Sequence, residues 1–131
     1  MDFLGRNPIS ESLALIEIKT PMTKLLGKLY RNGVFNISDE LSGAVMQALN
    51  YRDTLLAERD NILRKQPNMY AFNPACVVII GHARDELDSE DKKKSFELFR
   101  RELKDVAVVT FDELYYKTEA ILNTFEGIRA K

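Results

Sequence analysis

Hydrophobic and polar residues are arranged along the chain in a pattern that predicts four strands. Two apolar runs, at residues 1–4 and 13–19, flank the turn-forming residues 5–8, which predicts an antiparallel hairpin. The continuous, β-branched run at residues 76–80 is typical of a strand covered on both faces, and residues 106–109 form a shorter buried run. A hairpin followed by two buried strands is therefore expected.

Apolar residues at helical spacing occupy the intervals between these strands. A long helix is predicted at residues 39–64 after the N-cap residue Ser38, and a second at residues 90–103. A final helix begins at the capping box that Thr110 forms with Glu113. Strands separated by helical crossovers imply an α/β fold with a partly parallel sheet, helices on both faces and the hairpin at one edge.

The connection between the second strand and the long helix has a strong imbalance of charge. Residues 21–38 contain three basic residues and no acidic one. The basic residues are Lys24, Lys28 and Arg31. Leucine spacing predicts one or two helical turns over residues 24–30, which residues 31–33 then break.

Composition indicates one globular domain, because the chain has 131 residues of which 45% are hydrophobic and 30% charged. The net charge of −1 gives no global attraction to nucleic acid or anionic lipid, so any site for a polyanion must be local. Apolar runs are far shorter than the roughly 20 residues of a membrane span. The N-terminus lacks a secretory pattern, so no membrane helix and a cytoplasmic location are expected.

The single cysteine and the single histidine limit which metal-binding and catalytic sites the chain can form. One cysteine, Cys76, can form neither an internal disulfide nor a cysteine-rich zinc site, so metal binding is left to oxygen ligands. Cys76 is interpreted as a small core residue. His82 follows a buried strand without a second histidine nearby, which favours a surface or capping role over catalysis.

Two charged residues on the second strand are the most informative for function. Glu17 and Lys19 are two residues apart and therefore project from the same face of a strand. Asp2, on the partner strand of the hairpin, can converge with Glu17 on a hard cation, and the backbone carbonyl of Ile18 can add a third oxygen ligand. This set predicts a magnesium site, at which manganese could substitute.

The residues around this predicted site suit phosphodiester hydrolysis. Lys19 can stabilise charge that develops on a phosphoryl oxygen and can help to orient or deprotonate the attacking water. Gln47 and Tyr51 are four residues apart on the long helix, so both can support Lys19, a metal-bound water or a phosphate. A Glu-x-Lys pair alone more often forms an ion pair on an exposed face, so the prediction depends on the combination.

In this combination, the chain resembles the PD-(D/E)XK nuclease superfamily, whose members carry an Asp, a strand with Glu-x-Lys and, in the RecB-like branch, Gln-x-x-x-Tyr on a helix. The corresponding residues are Asp2, Glu17, Lys19, Gln47 and Tyr51. Over nearly its whole length the chain further resembles the C-terminal nuclease domain of the Shedu anti-phage defence proteins. The segments that carry this second likeness are residues 31–41, 78–81, 95–98 and 109–114.

The resemblance implies a metal-dependent DNA endonuclease of bacterial immunity with a restriction-endonuclease-like mixed sheet of about four strands. Its catalytic roles would fall on Asp2, Glu17, Lys19 and Gln47, with Tyr51 in support. Met1 stands where the superfamily has a proline, and the superfamily's first helix is missing. We therefore expect residues 1–131 to be a single nuclease domain from a longer protein with an N-terminal regulatory region.

The expected partner is DNA, bound through its backbone or shape because no base-reading motif is present. The predicted contacts are Lys24, Lys28 and Arg31, which directly follow the Glu17 strand without acidic neighbours. A homo-oligomer is expected because two catalytic sites suit the cutting of a duplex.

Two other functions remain open. The chain could be an inactive nuclease-fold module for oligomerisation or interaction, in which case substitution of Glu17 or Lys19 would leave its function intact. It could also be a small ligand-binding or phosphate-transfer domain centred on Gly81 and His82, although no glycine-rich phosphate loop is present.

Overall fold

The computed structural model describes residues 3–6, 9, 12–65 and 70–129, which form six strands and five helices. The strands are β1 (Phe3–Arg6), β2 (Ser12–Ile18), β3 (Leu26–Arg31), β4 (Val34–Ile37), β5 (Tyr70–Ile79) and β6 (Ala107–Val109). The helices are α1 (Asp39–Ala57), α2 (Arg59–Lys65), α3 (Ala83–Glu86), α4 (Glu90–Glu102) and α5 (Phe111–Arg129). None of the helices in this described part has the length and apolarity that crossing a bilayer requires.

The central sheet has four strands in the order β1-β2-β5-β6. Strands β1 and β2 are antiparallel, whereas β2, β5 and β6 run parallel to one another. The hairpin thus lies at one edge of the sheet, and the carboxyl ends of the three parallel strands meet at the same side. This arrangement confirms the predicted mixed α/β sheet flanked by helices, and it is consistent with a restriction-endonuclease-like fold.

The core lies between this sheet and its helices. Helix α1 packs on β2 and β5 through a stripe of buried apolar residues, and Phe96 of α4 is fully buried. The buried residues of α1 are Leu41, Ala44, Val45, Ala48 and Leu55. Burying a large apolar side chain contributes about 1.5–3 kcal/mol, so this stripe fixes α1 firmly against β2. Cys76 is buried in the same core, as predicted, and burial raises the pKa of its thiol.

The helical turns predicted at residues 24–30 are wrong, because this segment forms β3 and pairs antiparallel with β4. Asn32 and Gly33 make the connecting turn, in which Gly33 has a φ of 78°. A positive φ at this position is typical of a type II turn, where glycine carries no steric cost. The hairpin packs against α4, with the backbone N–H of Phe35 donating to Ser95 Oγ at 3.1 Å.

Two further element boundaries differ from the prediction. The long helix ends at Ala57 rather than near Arg64, and α2 follows after Glu58. Strand β5 begins at Tyr70, well before residue 76 where the predicted strand starts, and it passes through Asn73 and Pro74. A register shift opposite β2 and a φ of 48° at Asn73 mark an irregularity there, which explains how the strand accommodates a proline.

The first hairpin is also displaced, since β1 spans Phe3–Arg6 and includes Gly5 and Arg6, which were predicted to be turn residues. Residues 1, 2, 7 and 8 of the predicted hairpin lie outside the described residues. The remaining boundaries agree closely with expectation. The predicted helix at residues 90–103 corresponds to α4, and the capping box is present, with the Thr110 N–H donating to Glu113 Oε1 at 3.1 Å.

The segment that connects β2 to β3 is held in place from two directions. The carboxylate of Glu86 accepts the backbone N–H groups of Leu25 and Leu26 at 2.7 and 2.8 Å. On the other side, Ser38 Oγ donates to the carbonyl of Lys24 at 2.7 Å while it caps α1 by accepting from the Leu41 N–H. These bonds fix the chain immediately after Lys19.

Candidate active site

Glu17 lies at the carboxyl end of β2 on its buried face. Alternate residues of this strand, Leu13, Leu15 and Glu17, are each 2–3% exposed, whereas Ile16 and Ile18 are only partly buried. The carboxylate therefore continues a row of leucines that faces the core. Burial of an ionisable side chain among apolar residues is costly, which distinguishes this position from the exposed ion pair that Glu-x-Lys usually forms.

Lys19 is next to this carboxylate but reaches solvent. Its Nζ lies 3.5 Å from Glu17 Oε1, and its side chain is 37% exposed. Its backbone N–H donates to the carbonyl of Ile79 at 2.8 Å, which ties the residue to the end of β5. The structure therefore confirms that the two charged residues are adjacent, with the acid buried and the base at the opening.

Gln47 and Tyr51 are brought to the same place by α1. Tyr51 follows Gln47 by one turn, and the Gln47 amide and the Glu17 carboxylate are both close enough to the Tyr51 phenol to act on it electrostatically. Both side chains are exposed, although neighbouring residues of α1 are buried against β2. An acid, a base, an amide and a phenol from two elements thus lie near one another, and their catalytic roles stay predictions.

Of the predicted metal ligands other than Glu17, the structure describes Ile18 but not Asp2. Asp2 lies outside the described residues, and the last described pair of the β1–β2 ladder is Phe3 with Ile16, one position before Asp2 and Glu17. Ile18 is the final residue of β2. Among the described residues, no group of three or more His, Cys, Asp or Glu side chains could hold a metal. The role of Asp2 as a metal ligand therefore stays a prediction.

The donors that are described fit a hard cation. A carboxylate oxygen of Glu17 and a backbone carbonyl of Ile18 belong to the ligand class that Mg²⁺ and Mn²⁺ prefer. Glu17 is held by a buried strand, so its position is fixed before a metal binds. Lys19 shares that carboxylate, so a cation would compete with its ammonium group for one oxygen.

The three basic residues of the β2–α1 connection are spread over two places. Lys24 and Lys28 line a concavity of about 670 Å³ that also contains Asp39 and Glu40 at the start of α1. Arg31 lies at the tip of the β3–β4 hairpin with its guanidinium 5.4 Å from the Tyr30 ring centre. This surface is therefore less one-sided in charge than the linear sequence indicates.

A second polar cluster, centred on Asp112, lies at the ends of β5 and β6. The Asp112 carboxylate accepts the backbone N–H groups of Ala83 and Arg84 at 3.0 and 2.9 Å and the Thr110 hydroxyl at 2.6 Å. Burial alone would raise the pKa of Asp112, but these hydrogen bonds and the nearby His82 outweigh it and hold the pKa well below its usual range. Asp112 thus joins α5 to α3, a role that sequence reasoning missed.

His82 caps α3, as predicted. Its Nδ1 accepts the backbone N–H of Asp85 at 3.3 Å, and the same atom lies 3.8 Å from Asp112 Oδ2. The ring is therefore engaged in local structure.

Arg100 is engaged in structure as well. Its guanidinium donates to both carboxylate oxygens of Glu113 at 2.7 Å, to the carbonyl of Val108 at 3.2 Å, and to Glu97. The bonds from Arg100 lower the pKa of Glu113. This network joins α4 to β6 and α5, so Arg100 does not face solvent with the other basic residues of α4.

Comparison with known proteins identifies the family. The family model described as "Shedu protein SduA, C-terminal" matches residues 1–115. The Shedu protein SduA of Bacillus cereus (strain B4264) is 42% identical over 134 residues, covering 97% of this chain and 35% of that protein. The chain thus spans about a third of the length of the relative it matches. It belongs to the family of the C-terminal region of Shedu protein SduA.

Proposed function

We propose that this chain is the catalytic part of a metal-dependent DNA endonuclease that acts in bacterial anti-phage defence. Membership of the Shedu SduA family supports the defence role. The observation that carries the nuclease proposal is the buried Glu17 carboxylate 3.5 Å from Lys19 Nζ, beside Gln47 and Tyr51. A buried acid beside an accessible base is costly for folding, and such costs concentrate at functional sites.

The metal would be held by Asp2, Glu17 and the carbonyl of Ile18. Asp2 directly precedes Phe3 in the sequence, Glu17 directly follows Ile16, and Phe3 pairs with Ile16, which supports the choice of these two carboxylates. When bound, Mg²⁺ or Mn²⁺ supplies Lewis-acid polarisation of a phosphoryl oxygen and a water of lowered pKa.

Lys19 has the direct role toward the substrate. Its ammonium group is held at the opening by Glu17 and by the backbone bond to Ile79, where it can stabilise negative charge on the phosphoryl group. Gln47 and Tyr51 lie side by side on α1, where the amide and the phenol can orient the phosphate or the attacking water. Together these groups support in-line hydrolysis of a phosphodiester bond.

DNA would be bound through its phosphates. Lys24, Lys28 and Arg31 are exposed on the segment that follows Lys19, and a contact with phosphate carries no sequence information. Recognition by backbone or shape is therefore proposed.

The test of this function is cleavage of supercoiled plasmid in Mg²⁺ by the chain, by a longer protein that includes the upstream region, and by their Lys19→Ala variants. We expect cleavage that Lys19→Ala lowers by about 100-fold or more, the loss typical of removing a group that stabilises transition-state charge. The exposed Lys104→Ala is the matched control and should retain the parental rate.

Equal loss in Lys104→Ala would show a nonspecific effect and would refute the role of Lys19. Absence of cleavage by both proteins on every form of DNA would refute the nuclease and favour a non-catalytic interaction module.

A further inference from the structure

An aromatic and basic surface adjoins the sheet edge at which Lys19 lies. It surrounds a concavity of about 340 Å³ and is here called the strand-end platform. The platform consists of Pro21, His82, Arg84, Phe111, Asp112, Tyr115 and Tyr116. Tyr115 is 65% exposed and Tyr116 47% exposed, so neither ring is used in the core. Exposed aromatic pairs of this kind commonly mark a binding surface.

The platform is connected to the candidate active site by short backbone links. Pro21 follows Lys19 by two residues, which span at most about 7 Å of chain. The carbonyl of Thr20 accepts the Gly81 N–H at 3.0 Å, and the carbonyl of Gly81 accepts the Phe111 N–H at 2.9 Å. The ends of β2, β5 and β6 are thereby joined side by side, so the platform keeps a fixed position relative to Lys19.

The rings of the platform are arranged for stacking. The Arg84 guanidinium lies 4.8 Å from the centre of the Tyr116 ring, and Tyr115 meets Tyr116 edge to face with centres 6.2 Å apart. A guanidinium over a ring orders both groups through a cation–π contact. Flat aromatic and guanidinium surfaces of this type are the groups on which unpaired bases stack.

The platform and the concavity beside it carry both cations and acids, and the two differ in how far they are engaged within the fold. Asp112 is occupied by Thr110 and two backbone N–H groups, and Glu113 by Arg100. Asp85 is exposed and contacts His82 at 3.3 Å. Arg84 and Lys93 share an adjoining concavity with Tyr116, Asp112 and Glu113, and neither cation forms a salt bridge within the described part of the chain. Asp112 and Glu113 are thus engaged within the fold, whereas Arg84 and Lys93 can still contact an anion.

We infer that the strand-end platform binds an unpaired stretch of nucleic acid beside the phosphodiester bond at the candidate active site. Bases would stack on Tyr115 and Tyr116, and phosphates would contact Arg84 and Lys93. The inference rests on the proposed function for its choice of ligand. Base-paired DNA already stacks its bases on one another, so a platform of exposed rings discriminates in favour of unpaired strands.

The test measures binding rather than cleavage. Fluorescence anisotropy with a labelled oligothymidine of about 12 nucleotides is recorded without divalent metal in a Lys19→Ala background. Tyr116→Ala and Arg84→Ala should each weaken binding by about 5- to 100-fold, the range that corresponds to 1–3 kcal/mol of stacking. Tyr116→Phe, which keeps the ring, and Arg101→Ala, which removes an exposed arginine of α4, should bind as the background protein does.

Several results would overturn the inference. The first is that the Lys19→Ala protein does not bind the oligonucleotide. The second is that Tyr116→Ala and Arg84→Ala, made in that protein, change its affinity by less than about twofold. The third is that Arg101→Ala weakens binding as much as they do. An equal loss of affinity for a blunt duplex would exclude selectivity for unpaired strands. Because no bond is cut in this assay, loss of platform binding and failure of the nuclease proposal are observed separately.

Discussion

At the scale of single residues, Glu17 is the position where burial of a carboxylate is costly for folding but is needed for the proposed chemistry. Strand alternation correctly predicts that Glu17 and Lys19 are neighbours, because that follows from a period of two. Alternation could not show which face is buried, since Ile16 and Ile18 are as apolar as Leu13 and Leu15. The burial of Glu17 depends on the packing of α1, which is remote in sequence.

The Asp112 cluster was unpredictable for the same reason. The capping box of Thr110 and Glu113 is local and was found from the sequence. The bonds from Asp112 to the backbone of Ala83 and Arg84 cross 28 or more residues and involve groups that every residue carries. The sequence therefore contains no residue pattern that predicts these contacts.

The lowered pKa values of Asp112 and Glu113 predict a loss of stability in acid. A carboxyl whose pKa is lower in the folded than in the unfolded chain stabilises the fold above its unfolded pKa, near 4, and loses that contribution as the pH falls. Urea midpoints should therefore decline as the pH is lowered from about 5 to about 3.

Asp112→Asn should cost about 1–3 kcal/mol at neutral pH, because an amide nitrogen would face one of the two N–H donors. The variant should also show a shallower decline in acid, whereas the exposed Asp53→Asn should follow the parent. A decline in Asp112→Asn as steep as in the parent would contradict this assignment.

At the scale of elements, sequence reasoning found the central sheet and missed the β3–β4 hairpin. Three leucines at residues 25–29 have helical spacing, but Leu29 is 57% exposed and only Leu25 and Leu26 are buried. The dipeptide Asn32-Gly33 between β-type residues is a strong hairpin signal and could have overruled the helix. The end of α1 at Ala57 had no comparable signal, because apolar residues continue at helical spacing beyond it.

Gly81 fixes the end of β5 and supplies a test at this scale. Its φ is 69°, and an added Cβ would lie 2.7 Å from Leu25 Cδ2 and 2.8 Å from the backbone oxygen of Thr23. Gly81→Ala should therefore lower the free energy of unfolding by about 2–4 kcal/mol, from combined backbone strain and overpacking.

Gly43 is the matched control for this substitution. It lies in α1, and a Cβ added there would meet no atom within 4 Å apart from the neighbouring backbone of the helix itself. Gly43→Ala should therefore stabilise the protein by about 0.5–1 kcal/mol. Denaturant unfolding followed by circular dichroism measures both. A Gly81→Ala variant as stable as the parent would show that the segment after Lys19 is not held closely against the end of β5.

At the scale of the whole molecule, the near-neutral chain confines any attraction for DNA to particular surfaces. Family membership establishes relationship to the C-terminal region of Shedu protein SduA, of which this chain covers 35%. A homo-oligomer and regulation by an N-terminal region therefore stay predictions.

The proposed contacts of Lys24, Lys28 and Arg31 predict how duplex binding depends on salt. Three phosphate contacts correspond to a slope of about −3 in a plot of log affinity against log salt concentration. Lys28→Ala should reduce the magnitude of that slope by about 1, whereas Arg101→Ala should leave it unchanged. An unchanged slope in Lys28→Ala would remove that residue from the DNA interface.

We propose above that Glu17 and Lys19 form a metal-dependent nuclease site. The most direct test measures plasmid nicking by the parent and by Glu17→Gln over a range of Mg²⁺ concentrations. Glu17→Gln keeps the side-chain shape and removes the charge that would bind the metal. We predict nicking that rises with Mg²⁺ and stops with a chelator in the parent, with at most about 1% of that rate in Glu17→Gln. Equal nicking by both proteins, or nicking that persists in chelator, would contradict the claim.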